Sequence, residues 1–225
     1  MNRGNRACII TLIACAAALL PAGPTTASAS GLTFFGWSDQ HVATDGSAKH
    51  LVPAIEAMNA LPSREYPASV GGAVEQPAFV MGLGDITEWP TRAAIDAYNK
   101  LITTRLRFPT YDVAGNHDSG GKQPSETVHD WLRRRYDSLS YAFEQGGIHF
   151  VGLYSAYDES LNSPAQTITA EALDYLRADL AKLAKGTPVV VATHLCFEAI
   201  TNRDDFVDAL GDANVIMVLG GHYPK

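Results

Sequence analysis

An α/β fold is predicted by three features of this 225-residue chain. Short apolar runs alternate with segments of helical period, as expected where strands and helices take turns along a sheet. Five of the apolar runs end in polar side chains able to bind a cation, several of them after a glycine. A composition 46% hydrophobic and 18% charged suits one globular domain and excludes a disordered chain.

The elements follow in order. "LTFFGW" reads as a strand, and in "SAKHLVPAIEAMNAL" the residues Leu51, Ile55, Met58 and Leu61 fall at helical spacing. "FVMGLG" is the second strand; "TRAAIDAYNKLITTRL" is a helix opened by Thr91, whose hydroxyl suits an N-cap. "YDVAG" is the third strand and "ETVHDWLRRRYDSL" a further helix. "SYAFEQGGIHFVGLY" predicts a hairpin turning on Gly146-Gly147. "ITAEALDYLRADLAKLAKG" carries the strongest helical pattern, capped by Thr169, with Leu173, Leu176, Leu180 and Leu183 on one face and Gly186 at its end. "TPVVVAT" and "VIMVLGG" complete the strands.

The first 29 residues read as a secretory leader: Arg3 and Arg6, an apolar run to Leu20, then Ala27-Ser28-Ala29 at the cleavage point. The expected domain is therefore 30–225, secreted or periplasmic, without a transmembrane segment. The stretch "LIAC" offers a lipoprotein alternative anchored at Cys15, but the apolar run continues past it. Loss of Arg3 and Arg6 takes 17 basic residues to 15 against 24 acidic, a formal charge of −9, which argues against a nucleic-acid scaffold or an anionic membrane as partner. Cys196 alone would remain, so no internal disulfide is expected and a small packed thiol is the simpler reading.

The strand ends carry the chemistry. "LTFFGW" leads into Asp39 and His41, "FVMGLG" into Asp85, "YDVAG" into Asn116-His117-Asp118, "VVVAT" into His194, and "VIMVLGG" into His222. In open α/β sheets functional groups gather at the carboxyl ends of strands, so these residues are expected to converge. Imidazole, carboxylate and amide ligands suit zinc, iron or manganese. Two ions roughly 3.5–4 Å apart need a bridging carboxylate and can activate a water while holding a phosphoryl group. Asp85, with no charged neighbour closer than Glu88, is the natural bridge.

Asp39-x-His41, Gly84-Asp85, Gly115-Asn116-His117-Asp118, His194 and Gly221-His222 resemble, in order, the motif set of the calcineurin-like metallophosphoesterases, a superfamily that includes purple acid phosphatases and cyclic-nucleotide phosphodiesterases. The resemblance implies a four-layer α/β/β/α sandwich, two divalent ions, and hydrolysis of a small phosphorylated substrate, monoester or diester. It implies that Asp39 and His41 hold the first ion, that Asp85 bridges, and that Asn116, His194 and His222 hold the second. His117 is then a general acid and phosphate-stabilising group instead of a ligand, with Asp118 behind it orienting its neighbours.

One departure stands out. Where the superfamily usually reads Gly-His-x-His, this chain has "GGHYPK", with Pro224 in place of the second histidine and the sequence ending at Lys225. A truncated domain with a weakened first ion site is the expectation, and a metal-binding relative without catalysis is the alternative. His50, His129 and His149 fall within predicted helices or the hairpin and read as surface or packed residues. Trp37, Trp89 and Tyr223 flank the motifs, and packing is their simpler role. The basic cluster in "WLRRRYDS" reads as a solvated helix face.

Overall fold

The computed structural model describes residues 11–15, 31–121, 123–158 and 165–222. Strand β1 (Thr11–Cys15) is the described part of the expected leader, and it pairs antiparallel with β2 (Leu32–Trp37). The rest of the leader, its cleavage point, and Tyr223, Pro224 and Lys225 lie outside the described residues. After β2 come α1 (Val52–Ala60), β3 (Val80–Leu83), α2 (Arg92–Thr104), β4 (Thr110–Val113), the short α3 (Asn116–Ser119) and α4 (Thr127–Tyr136). The second half contains β5 (Tyr141–Gln145), β6 (Ile148–Gly152), β7 (Ser155–Asp158), β8 (Ala165–Ile168), α5 (Ala170–Leu180), β9 (Pro188–Ala192), α6 (Arg203–Leu210) and β10 (Asn214–Leu219). The chain is thus a mixed α/β protein. No helix among the described residues is long and apolar enough to cross a membrane.

One sheet has the order β1-β2-β3-β4, with β2, β3 and β4 parallel; a second has the order β10-β9-β6-β5, with β10, β9 and β6 parallel. A separate hairpin joins β7 to β8. Strand alternation distributes the apolar side chains of β2 to two faces. Phe35 and Trp37 pack with Ile55 and Met58 of α1, Ile95 and Tyr98 of α2, and Leu132 of α4. Phe34 points the other way, into a cluster with Phe79, Met81 and Val113 of its own sheet and Ile148, Phe150 and Val190 of the other. Because both faces of β2 are covered, its sequence reads as a continuous apolar run. On the far face of the second sheet, Val151, Val189 and Val191 meet Leu173 and Leu176 of α5 and Phe206 of α6. Truncating a buried phenylalanine such as Phe34 to alanine costs about 3–5 kcal/mol.

Local signals work as read. Thr91 and Thr169 accept hydrogen bonds from Ala94 N (3.1 Å) and Ala172 N (3.2 Å), each cap contributing ~1 kcal/mol. Gly146 and Gly147, with φ of 60° and 76°, make the left-handed turn of the β5–β6 hairpin. One boundary differs. Helix α5 stops at Leu180, and the bonds from Lys182 N to Asp179 O and from Leu183 N to Leu180 O tighten the chain into turns before Gly186. The β7–β8 hairpin and α6 escaped the sequence reading because each is too short to show a period; α6 is held by Phe206 and Ala209 in the core.

Candidate metal centre

The turns after β2, β3 and β4 meet those after β9 and β10, all at carboxyl ends of parallel strands. Backbone bonds tie the first two turns together, from Asp39 N to Gly84 O (3.0 Å) and from His41 N to Asp85 O (2.9 Å). Gly221 N and His222 N both donate to His194 O, at 2.8 and 2.6 Å. The two sheets are joined where His194 Nδ1–H donates to the Leu83 carbonyl (2.7 Å), and Ser38 Oγ lies against Asp39 and 3.2 Å from Gly221 O.

Backbone strain is concentrated here. Of five non-glycine residues with positive φ among those described, three are Asp39 (56°), His41 (44°) and Asp85 (54°). A left-handed backbone at a side chain of this kind persists only where the surroundings enforce it, and it clusters at functional sites. Gly115 is required for a different reason: a Cβ there would sit 2.2 Å from both the backbone N and the Oδ1 of Asp85.

His194 defines the buried part of the site. Its Nδ1 faces a carbonyl, which only accepts, so Nδ1 carries the proton and Nε2 of the neutral ring presents a lone pair. That lone pair lies 3.0 Å from Asn116 Oδ1, 3.4 Å from Asp85 Oδ1 and 3.2 Å from His222 Nδ1. Oxygen acceptors facing a lone pair repel unless a cation stands between them. In the protein alone that cation is a proton: burial opposes it, but the hydrogen bond and charge of Asp85 raise the His194 pKa above its ordinary value. Burial likewise opposes the charge of Asp85, which is 2% exposed, yet the hydrogen bond and charge of His194 hold its carboxyl below the usual range. Burial, and then the charge of His194, lowers the His222 pKa. The donor atoms of Asp85, His194 and His222 lie within 4.8 Å of one another, a set that fits a divalent ion of the zinc, iron or manganese kind.

A second group adjoins it, formed by His41, Asp85 and His117. His41 Nε2 is 3.8 Å from Asp85 Oδ2 and 3.7 Å from Asp39 Oδ1. Its buried Nδ1 makes no hydrogen bond and lies 3.5 Å from Glu88 Oε2. Burial opposes protonation of His41, but hydrogen bonding to Asp39 and the charges of Asp85, Asp39 and Glu88 raise its pKa. Asp85 therefore belongs to both groups, as its isolation in sequence suggested. His117 donates its backbone N–H to Asp85 Oδ1 (2.9 Å) and its Nδ1–H to the Glu88 carbonyl (2.7 Å), and its ring meets the edge of His41 at 4.6 Å. The geometry thus sets His117 as near to this group as His41, while Asp39 stands at its rim.

Asp118 is fully buried behind these turns. Its Oδ2 accepts from Ile86 N (3.0 Å) and Gly115 N (2.9 Å), and its Oδ1 from the N and Oγ1 of Thr87, both 2.9 Å. Burial, and then the neighbouring Asp85 charge, push its carboxyl up to about 6. Its bonds lock the turn bearing Asp85 to the turn bearing Asn116.

All the sequence-derived residues, Asp39, His41, Asp85, Asn116, His117, Asp118, His194 and His222, gather at this one place. Glu88, in sequence only the charge nearest Asp85, stands three residues along the same turn and faces His41. Cys196 is a half-buried thiol whose Sγ–H donates to His222 O (2.6 Å). The other histidines lie elsewhere. His149 bridges Glu144 (2.5 Å) and Asp179 (2.6 Å), His129 is buried on α4, and His50 donates to Gln40 O (2.7 Å). The basic cluster is only partly a solvated face: Arg135 stacks on Trp131 and lies 3.8 Å from the buried Asp112.

No family model matches the chain. Among curated proteins it is similar to the serine/threonine-protein phosphatase CPPED1 of Pongo abelii, 25% identical over 171 residues, which is 67% of this chain and 54% of that protein. The chain thus spans about half the length of this relative. The likeness, distant as it is, is to a phosphatase, and it agrees with a centre able to hold metal.

Proposed function

We propose that this chain is a metal-dependent hydrolase of phosphoric esters, related to the calcineurin-like metallophosphoesterases, with its two sheets and flanking helices forming a four-layer α/β/β/α sandwich. The observation that carries the reading is the convergence of His194 Nε2, Asp85, Asn116 and His222 from four different strand ends onto one cation-sized position. Asp85, Asn116, His194 and His222 would hold one ion; Asp39, His41 and the shared Asp85 would hold the other. Bound there, such ions would polarise a phosphoryl group and acidify an attacking water.

The chain's own residues supply the rest. Because Nδ1–H of His117 is committed to the Glu88 carbonyl, the proton this ring exchanges is the one on Nε2. As the oxygen of water bonds to phosphorus, giving up a proton to solvent, and the bond to the leaving oxygen breaks, the Nε2 proton of the His117 imidazolium passes to the leaving oxygen. Asp118 keeps the Asp85 and Asn116 turns in register while this occurs. With residues 1–29 read as a secretory leader, the reaction would take place outside the cytoplasm, on a small phosphorylated substrate.

The test is turnover of p-nitrophenyl phosphate and its bis-ester, with p-nitrophenyl acetate as control, on protein of measured metal content. Phosphoester turnover lost on chelation and restored by manganese, zinc or iron supports the reading. Acetate hydrolysis without phosphoester hydrolysis, or phosphoester turnover in fully stripped protein, overturns it. A second reading, a metal-binding relative without catalysis, is favoured by Pro224. If Pro224→His raises metal content from nearer one ion per chain toward two and activity rises with it, the loss at Pro224 is what limits this chain.

A further inference from the structure

Of the three tryptophans, Trp37 and Trp131 are 1% and 8% exposed, while Trp89 is 39% exposed. An indole left in water forgoes the stabilisation that its burial would bring, so its position calls for a reason. The Trp89 ring lies 4.9 Å from the ring of His117, tilted by 34°. Its backbone is also held in place: its carbonyl accepts from Thr91 N (2.8 Å), Pro90 fixes its own φ and restricts Trp89 before it, and Thr91 caps α2. A partly exposed aromatic surface therefore adjoins the imidazole from which the leaving oxygen would take its proton.

We infer that Trp89 is the platform on which the leaving group stacks, and that the site selects phosphoric esters whose leaving group carries a planar aromatic ring. This rests on the phosphoesterase reading above. A ring departing beside His117 would lie next to the indole, whereas a small alkyl group would gain little from the contact. Aromatic stacking of this kind corresponds to roughly 5- to 150-fold in affinity.

The experiment compares kcat/KM for phenyl phosphate and glycerol phosphate in the metal-replete protein and in Trp89→Phe and Trp89→Leu. Taking the ratio of the two substrates, variant against parent, cancels their intrinsic reactivities. Trp89→Leu is expected to lower the aryl-to-alkyl ratio about 10- to 100-fold, and Trp89→Phe to retain most of it. Phenylphosphonate, which is not hydrolysed, should quench the tryptophan emission that the exposed Trp89 contributes, and glycerol phosphate should not. An unchanged ratio, or an equal fall for both substrates, overturns the stacking role while leaving the phosphoesterase reading intact. If the parent turns over neither ester, that reading falls first. The quenching then decides whether Trp89 binds an aryl ligand: its absence overturns the inference, and its presence upholds the binding part.

Discussion

Gly115→Ala tests how tightly the Asp85 turn is packed. Gly115 has φ −107° and ψ −178°, a conformation alanine adopts freely, so the substitution adds no backbone strain and acts through volume alone. The new Cβ would sit 2.2 Å from the N and Oδ1 of Asp85, and Cβ contacts under 3.0 Å are essentially never observed. The turn must therefore yield by about 0.8 Å. To the extent that this movement separates Asp85 from His117 N, a shift of that size opens the 2.9 Å bond to Asp85 Oδ1 beyond hydrogen-bond range. Losing one bond to a charged group costs about 1.5–3 kcal/mol and overpacking about 1–3, so a destabilisation of roughly 2.5–6 kcal/mol is expected. Misplacing a reacting group by ~1 Å can also cost on the order of 10²-fold in rate. Urea unfolding of the metal-free protein, metal content by elemental analysis and p-nitrophenyl phosphate turnover measure the three effects. Gly147→Ala is the control. With φ of 76° and no atom within 4 Å of its Cβ, it should lose about 1–2 kcal/mol with metal content unchanged. A Gly115→Ala protein that loses less than 1 kcal/mol and keeps its metal would refute the packing argument.

His194→Ala removes the ligand whose lone pair defines the buried position, so metal content and phosphoester turnover should fall together; chelator-resistant turnover in stripped protein would count against it. His117→Asn should lower kcat by ~10²–10⁴-fold, less for good leaving groups, with metal content unchanged, and loss of metal would show instead that His117 is a ligand beside His41 and Asp85. In the metal-free protein burial opposes the charge of His194, but Asp85 raises its pKa above 6.5. The stability this contributes is fully present below about 6.5 and is lost as pH rises through the raised folded value. The melting temperature of metal-free protein should therefore fall as pH rises above about 6.5, and Asp85→Asn should flatten the fall; a rise in the parent protein would contradict the assignment.

How legible the site was depended on distance along the chain. Asp39 and His41, or Asn116, His117 and Asp118, are neighbours in sequence, and a strand followed by glycine and ligand-type residues is a local pattern that survives any folding. The helix caps at Thr91 and Thr169 and the Gly146-Gly147 turn are local in the same sense. The end of α5 was not, because Leu183 packs against the core from a turn, and an apolar residue in a turn keeps the helical spacing without the helix.

The amino-acid sequence by itself determined the alternation of strands and helices, the order of the ligand-type residues, and their places at strand ends, since all of these depend on covalent neighbours and side-chain period. Only the tertiary structure decided that His194 would face Asn116, 78 residues away, and donate to Leu83, 111 residues away. It also set Asp39, His41 and Asp85 in left-handed backbone, and turned His117 toward His41 and Asp85. Trp37 and Trp89 flank the motifs in the same way in sequence, yet one is sealed under α1 and α2 while the other stands in solvent over His117. The physical reason is that orientation, burial and tautomer are properties of packed neighbours, and those neighbours are brought together only when the two sheets close on one another.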